Sequence, residues 1–362
     1  MIHDVVRSVT TELWRYKLDK PVGGSGVASI DVVVVSIEDA QGETGLGFSY
    51  VLSGSGEGAA CAARGISEAH LVDKPCRHPE AWHRSVRSTF GRTGRGPLYI
   101  GLAAIDVAMW DLYAKRLGVP LGVAMGGAPR PVSVYGSGGF AARQDPEEAV
   151  AQARAYAARG ATAVKPRVDG SASDRQLIAR VSEAMEGKTF VAVDANEKCS
   201  PAAAEWLLHV SRDYGLLFVE EPLPARDLAG HRALTRGAGA SVATGEHLQG
   251  LDEAAPFISE RLCRIIQPDL AMMGGITECL RVTRLAEALG VEVAPHFLPN
   301  LFVHLAAVSP SVTWLEDFPL LEPLFADLEA FDADGKLTAP ETPGHGLSWV
   351  TGARESFHVT GA

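Results

Sequence analysis

The chain predicts an α/β protein built on a barrel of parallel strands, preceded by a smaller α+β region. Three observations carry that prediction. Carboxylates recur at equal spacing, with Asp194 in Phe190-Val-Ala-Val-Asp-Ala-Asn196, Glu220 in Leu217-Phe-Val-Glu-Glu-Pro222 and Glu246 in Ser241-Val-Ala-Thr-Gly-Glu246, 26 residues apart in each case. Each closes a short apolar run, and the step between them suits one strand plus a returning helix of a parallel barrel. From Pro131 onward such runs alternate with helical patterns, whereas the chain before it opens with β-rich runs and continues as helices.

Taken in order, Ile30 to Ile37 and Thr44 to Leu52 are β-rich runs joined by Asp39-Ala-Gln-Gly-Glu43, a hairpin signal. Helical patterns follow at about 58–71, 79–90 and 98–117, the last with Leu102, Ile105, Met109 and Leu112 on one stripe and a stop at Gly118-Val-Pro-Leu121. Gly23-Gly-Ser-Gly-Val27 and Leu52-Ser-Gly-Ser-Gly-Glu57 are flexible enough in composition to serve as lids. The barrel strands are expected at Val132–Ser137, Thr162–Lys165, Phe190–Asp194, Leu217–Glu220, Ser241–Gly245, Arg264–Pro268, Glu292–Pro295 and Val312–Leu315. Between them, one helix starts at the N-cap Ser200 with Pro201 in its first turn, and another runs from Thr277 to Leu289 and stops at Gly290. A doubly wound open sheet competes, but the opening meander and the lack of a Gly-rich first turn disfavour it. The alternation fades near Leu321, so the tail is expected to return to the N-terminal region. The domains expected are thus 1–127, α+β with the lid loops; 128–320, the catalytic barrel; and 321–362, the returning segment.

Hydrophobic content of 46% and charged content of 21% are ordinary for a soluble enzyme. The formal net charge of −11 and the lack of a basic stripe argue against nucleic acid. No signal-peptide pattern opens the chain and no apolar run reaches the length of a membrane span, so a cytoplasmic protein without a membrane partner is expected. Cys61, Cys76, Cys199, Cys263 and Cys279 are odd in number and widely spaced, and read as reduced core thiols.

Three carboxylates brought to one rim by adjacent strands form a hard oxygen site suited to Mg²⁺. Asn196 follows Asp194 by two residues and is placed to support that site. Gln267-Pro-Asp269 and Ala294-Pro-His296 end two further strands. If those strands are neighbours, Asp269 fixes the tautomer of His296 and leaves its other nitrogen as a base. Glu316 ends the last strand in Trp314-Leu-Glu316, where a carboxyl kept protonated would donate a hydrogen bond to a developing oxyanion. Lys165 and Arg167, two apart in Val164-Lys-Pro-Arg167, share one face of an extended segment and supply positive charge for a substrate carboxylate. His247, beside Glu246, is a further candidate for substrate contact or metal support. His78, His83 and His304 have no metal-ligand partners at usable spacing and read as structural.

The ordered series Lys-x-Arg, Asp-x-Asn, Glu-Glu-Pro, Gly-Glu, Gln-Pro-Asp, Gly-Gly-Ile-Thr-Glu, Pro-His and Trp-Leu-Glu resembles the mandelate racemase subgroup of the enolase superfamily. The likeness spans nearly the whole chain, including Gly118-Val-Pro-Leu121 and Met125-Gly-Gly127 at the domain junction. It implies an α+β capping domain on a modified (β/α)₇β TIM barrel, and one essential Mg²⁺ per subunit on Asp194, Glu220 and Glu246. It also implies a His296–Asp269 general-base dyad, Glu316 as the electrophilic carboxyl, Ser137 as a contact to the substrate carboxylate, and a homo-oligomer between dimer and octamer. One position departs: Arg167 replaces the second lysine of the family's Lys-x-Lys, a base in its racemases. A guanidinium stays protonated, so a one-base reaction by His296 is favoured.

The chemistry implied is removal of the proton α to a carboxylate, giving an enediolate, followed by loss of a β-hydroxyl to yield a 2-keto-3-deoxy acid. The leading expectation is a Mg²⁺-dependent dehydratase of an aldonic or aldaric acid. The alternatives are a racemase, epimerase or lactone cycloisomerase using the same enediolate, a non-catalytic barrel paralogue, and a Schiff-base aldolase through Lys165, which would leave the three acids without a role.

Overall fold

The computed structural model describes residues 5–22, 26–52, 54, 56–75, 78–187, 189–235 and 241–360. The chain opens with an antiparallel meander of β1 (Val6–Val22), β2 (Val27–Asp39) and β3 (Thr44–Leu52). Strand β2 is apolar on both faces because each is covered. Val33, Val35 and Ile37 join a core with the following helices, while Ile30, Val32 and Val34 join the core shared with the barrel. The helices are α1 (Glu57–His70), α2 (Pro79–Arg87) and α3 (Pro97–Leu117). Helix α3 lies directly on β3, where Gly47 allows the approach: a Cβ there would stand 2.1 Å from the Ala104 carbonyl oxygen. Gly118 closes α3 in the left-handed conformation, and the short α4 (Leu121–Ala124) leads to the barrel.

The barrel staves are β4 (Val132–Gly136), β5 (Ala163–Val164), β6 (Phe190–Val191) with β7 (Val193–Asp194), β8 (Val219–Glu220), β9 (Val242–Thr244), β10 (Ile265–Ile266), β11 (Glu292–Val293) and β12 (Trp314–Asp317). Strands β6 and β7 form one stave, hydrogen-bonded to β5 on one side and β8 on the other. Every stave pairs in parallel with the next. A parallel bridge between Val293 and Val312 and the β12–β4 pairing close the ring. The last stave starts two residues later than expected, because Val312 makes that bridge and Trp314–Asp317 then pair with Ser133–Gly136. Between staves run α5 (Pro146–Ala158), α6 (Asp174–Met185), α7 (Pro201–Asp213), α8 (Leu228–Thr235), α9 (Leu251–Ser259), α10 (Leu270–Met273) with α11 (Ile276–Leu289), and α12 (Pro299–Val308). No α-helix of that ring follows β12 among the described residues, which makes the barrel (β/α)₇β. Inside it, Tyr135 and Phe218 fill the space left by Ala163, Ala192, Ala243 and Ala294.

Beyond β12 the chain serves both parts. Lys336–Leu337 pair antiparallel with β4, Phe325–Ala326 pair with Ser348–Trp349, and His358 bridges to Trp14 of the meander. Trp14, Phe48, Phe325 and Trp349 pack together with centroid separations of 4.6–5.7 Å, Phe325 stacked on Trp349 and the other pairs tilted or edge-on. Within the Gly-Gly-Ile-Thr-Glu segment, Thr277 binds the buried Asp106 of α3, and Glu278 is paired with Arg87 and Arg281. These bonds tie the barrel to the capping helices.

Residues 23–25, 53 and 55 of the two expected lids lie outside the described residues, as does Cys76. Cys199, Cys263 and Cys279 are buried thiols, but Cys61 is exposed on α1 and is not a core residue. No helix of the described residues is long and apolar enough to cross a membrane.

Candidate active site

The parallel staves end at one mouth, and register decides which side chains meet there. Asp194 and Glu220 are direct partners across β7 and β8, and Glu246 follows β9 by two residues. Lys165 follows β5, and its ammonium is buried at 2.5 Å from Glu220 Oε1, 2.8 Å from Glu316 Oε1 and 3.8 Å from Asp194 Oδ2. Arg167 Nη1 donates to Asp194 Oδ2 at 2.7 Å and to the Asn196 amide oxygen, and its guanidinium lies over Phe318. Asn196 has a positive φ of 45°, which turns its backbone N–H onto Asp194 Oδ1 at 2.8 Å. Asparagine tolerates that conformation better than most residues.

On the far side, His296 Nδ1 lies 2.7 Å from Asp269 Oδ2, and His296 Nε2 faces Glu246 Oε2 at 3.5 Å. The pairing follows from register, since Ile266 and Val293 are partners across β10 and β11 and both strands run three residues on to the mouth. Asp269 also caps α10, its Oδ1 accepting from the Met272 N–H. Glu316 Oε2 accepts from the Phe297 N–H at 3.0 Å. Ser137 follows β4 and is buried, with no hydrogen-bond partner for its Oγ. His247 is half-exposed, with Nδ1 2.9 Å from Glu221 Oε1 and 3.5 Å from Glu197 Oε1, and Nε2 3.7 Å from Glu246. Direct contacts thus join Lys165, Arg167, Asp194, Asn196, Glu220 and Glu316 in one cluster and Glu246, His247, Asp269 and His296 in another, while Ser137 follows β4 without such a contact.

Electrostatics there are strained toward negative charge. Burial raises the Glu220 carboxyl well above its usual range; Lys165 opposes this, while Asp194, Glu316 and Glu246 add to it. Burial works against the Lys165 ammonium, yet Glu220 and Glu316 hold it charged well above the lysine norm. One ammonium cannot neutralise all of these acids. Burial lowers the His296 imidazole, but Glu246, Asp269 and Glu316 together raise it to about 10. Glu316 corrects an expectation. Burial favours its protonated form, but Lys165 and His296 outweigh burial and hold it as a carboxylate in the free chain. The contacts from Glu197 and Glu221 likewise keep His247 as an imidazolium.

Two participants are not among the expected site residues, and only the first lies in a motif. Gln267 Nε2 donates to Glu220 Oε2 at 2.5 Å from within the Gln-Pro-Asp motif. Tyr50 reaches in from β3 of the capping sheet to Asp269. Nothing in an alternating strand marks one tyrosine as facing a site 219 residues away.

Fold and site together define the class: a capped (β/α)₇β barrel of the enolase type. The chain belongs to the mandelate racemase/muconate lactonizing enzyme family, with residues 9–126 matching that family's N-terminal domain and residues 148–353 the enolase C-terminal domain-like model. It is 29% identical over 339 residues to an L-talarate/galactarate dehydratase of Salmonella typhimurium, covering 92% of this chain and 84% of that one. It is also 29% identical over 351 residues to a 3,6-anhydro-α-L-galactonate cycloisomerase of Streptomyces coelicolor, covering 95% and 96%. The crystal structure of an L-talarate dehydratase from Polaromonas sp. JS666, complexed with Mg and L-glucarate, superimposes with a TM-score of 0.91 at 31% identity over 98% of this chain and 97% of that one.

Proposed function

We propose that this protein is a Mg²⁺-dependent hydro-lyase that dehydrates an acid sugar, an aldonate or aldarate, to a 2-keto-3-deoxy acid. The observation that carries the proposal is the placement of the His296–Asp269 pair across the barrel mouth from Lys165 and Arg167, with Asp194, Glu220 and Glu246 between them. The relatives named above support it, since two are dehydratases of sugar acids and one was solved with Mg and a sugar diacid.

The donor set fits the cation. Asp194, Glu220 and Glu246 are oxygen donors, and burial first, then the charges of Asp194, Glu316 and Glu246, raise Glu220. When bound there, Mg²⁺ supplies Lewis-acid stabilisation of the substrate carboxylate.

The chain's own groups do the rest. With the charge of Glu246, the strongest influence holding His296 protonated, taken up by the cation, His296 Nε2 takes the proton α to the substrate carboxylate, while Asp269 holds Nδ1 and orients the ring. Charge then develops on the carboxylate oxygens, where the Lys165 ammonium and Glu316 converge. A substrate carboxylate that draws Lys165 away removes the main counter-ion of Glu316, which raises its proton affinity and lets it donate. The β-hydroxyl leaves as water with a proton returned by His296 Nε2, and the enol tautomerises to the keto acid. Arg167 binds or polarises an oxygen without accepting a proton. Full turnover in both His296→Asn and Asp269→Asn would overturn this assignment.

The cycloisomerase of S. coelicolor, aligned over nearly its whole length, favours one second reading: opening of a 3,6-anhydro ring, a cyclic ether, by β-elimination through the same enediolate. Conversion of an anhydro aldonate to a keto acid without release of water distinguishes it.

A further inference from the structure

Asp269 is the meeting point of three elements. Its Oδ1 accepts from the Met272 N–H at the start of α10, and its Oδ2 is shared by His296 Nδ1 at 2.7 Å and the hydroxyl of Tyr50. Tyr50 belongs to β3 of the capping sheet, is 3% exposed, and stands two residues before the expected lid at Leu52. Burial and Asp269 keep its hydroxyl in the protonated, donating form. Its ring packs on Phe297 with centroids 4.9 Å apart, and Phe297 in turn packs edge-on against His296 and donates its N–H to Glu316. A carboxylate with one oxygen bound to the barrel backbone would still be free to pivot about Cβ. A second fixed donor from another domain removes that freedom.

We propose that Tyr50 is a positioning residue of the base dyad, through which the capping sheet sets the orientation of Asp269 and hence of the His296 ring. The proposal rests on His296 being the base. Tyr50 has no contact with the proposed cation ligands among the described residues, and its hydroxyl acts on the reaction through Asp269. The capping sheet thereby contributes to the chemical step as well as to substrate enclosure. A barrel whose cap is displaced would retain every acid at its mouth and lose the alignment of its base.

The test is Tyr50→Phe, which keeps the ring on Phe297 and removes only the hydroxyl. In ¹⁵N-histidine-labelled protein, the Nδ1 resonance of His296, assigned by its loss in His296→Asn, is expected to shift in Tyr50→Phe with Tm within a few degrees of the parent. That readout needs no substrate, so it stands or falls separately from the dehydratase assignment. With a turned-over acid sugar, kcat is expected to fall about 10- to 100-fold with KM nearly unchanged. Adding Tyr50→Phe to Asp269→Asn should cost nothing further. An unmoved Nδ1 resonance, an unchanged kcat, or a full additional loss in the double variant would each overturn the proposal.

Discussion

Lys165 Nζ, at the end of the second stave, stands 2.8 Å from Glu316 Oε1 and is the shared counter-ion of the acids on the last, third and fourth staves. Two of those acids, Asp194 and Glu220, are the proposed cation ligands, so the ammonium competes with the cation it assists. Replacing Lys165 by methionine is expected to tighten Mg²⁺ binding by about tenfold while dehydration falls by about 10³-fold. Calorimetric titration beside turnover checks both signs; weaker Mg²⁺ binding in the variant would sink the idea.

Arg167 is held by Asp194 and Asn196 and has no proton to lose near neutral pH. In Arg167→Lys a titratable amine takes its place on the face opposite His296. Proton NMR of substrate recovered from D₂O should then show α-deuteration at the inverted centre, absent in the parent, with dehydration reduced by about tenfold. Deuterium incorporation no greater than in the parent would show that the face is closed to proton transfer for another reason.

Glu220 is fully buried, and its proton affinity is raised first by that burial and then by Asp194, Glu316 and Glu246, a repulsion that a divalent cation relieves. Mg²⁺ at a hundred times its Kd should stabilise the folded chain by about 2.7 kcal/mol. Differential scanning calorimetry with and without EDTA measures this, and Glu220→Gln should abolish the difference. A Tm indifferent to Mg²⁺ in the parent would contradict the site.

His304 lies far from the chemistry, buried between the Gly122 N–H and the His345 carbonyl, and burial lowers its imidazole to about 4. The folded value is below the unfolded one of about 6.5, so the unfolded chain binds the extra proton first. Its stabilising contribution is complete above pH about 6.5 and is lost as pH falls toward 4, in total about 3 kcal/mol. Asp106, raised by burial to about 6, opposes part of that loss, so the comparison must be between variants. The fall in Tm between pH 7 and 5 should shrink in His304→Gln. An identical fall would mean that the residue does not carry it.

The site was far more legible in the sequence than the contacts that orient it. Asp194, Glu220 and Glu246 announce themselves because a stave and its helix repeat at constant length, and an acid closing a buried strand needs a reason to be there. Adjacent strand ends alone pair Asp269 with His296, and the register of β10 and β11 brings them to 2.7 Å. Tyr50 was invisible because its partner is set by how the cap docks, a relationship that no local period encodes. The charge state of Glu316 is hidden for a similar reason. Its burial is legible from the strand end, but the approach of Lys165 from β5, one stave beyond β4, is not. The exposure of Cys61 reflects which face of α1 meets α3, which composition does not reveal.

The most direct test of the central claim is incubation of the purified protein and Mg²⁺ with a panel of aldonic, uronic and aldaric acids, scored by the semicarbazone absorbance of 2-keto-3-deoxy products. The structure predicts a hit that is abolished by EDTA and by His296→Asn. A hit that survives both treatments would contradict cation-assisted proton abstraction by His296, and silence across the panel would contradict dehydration of an acid sugar.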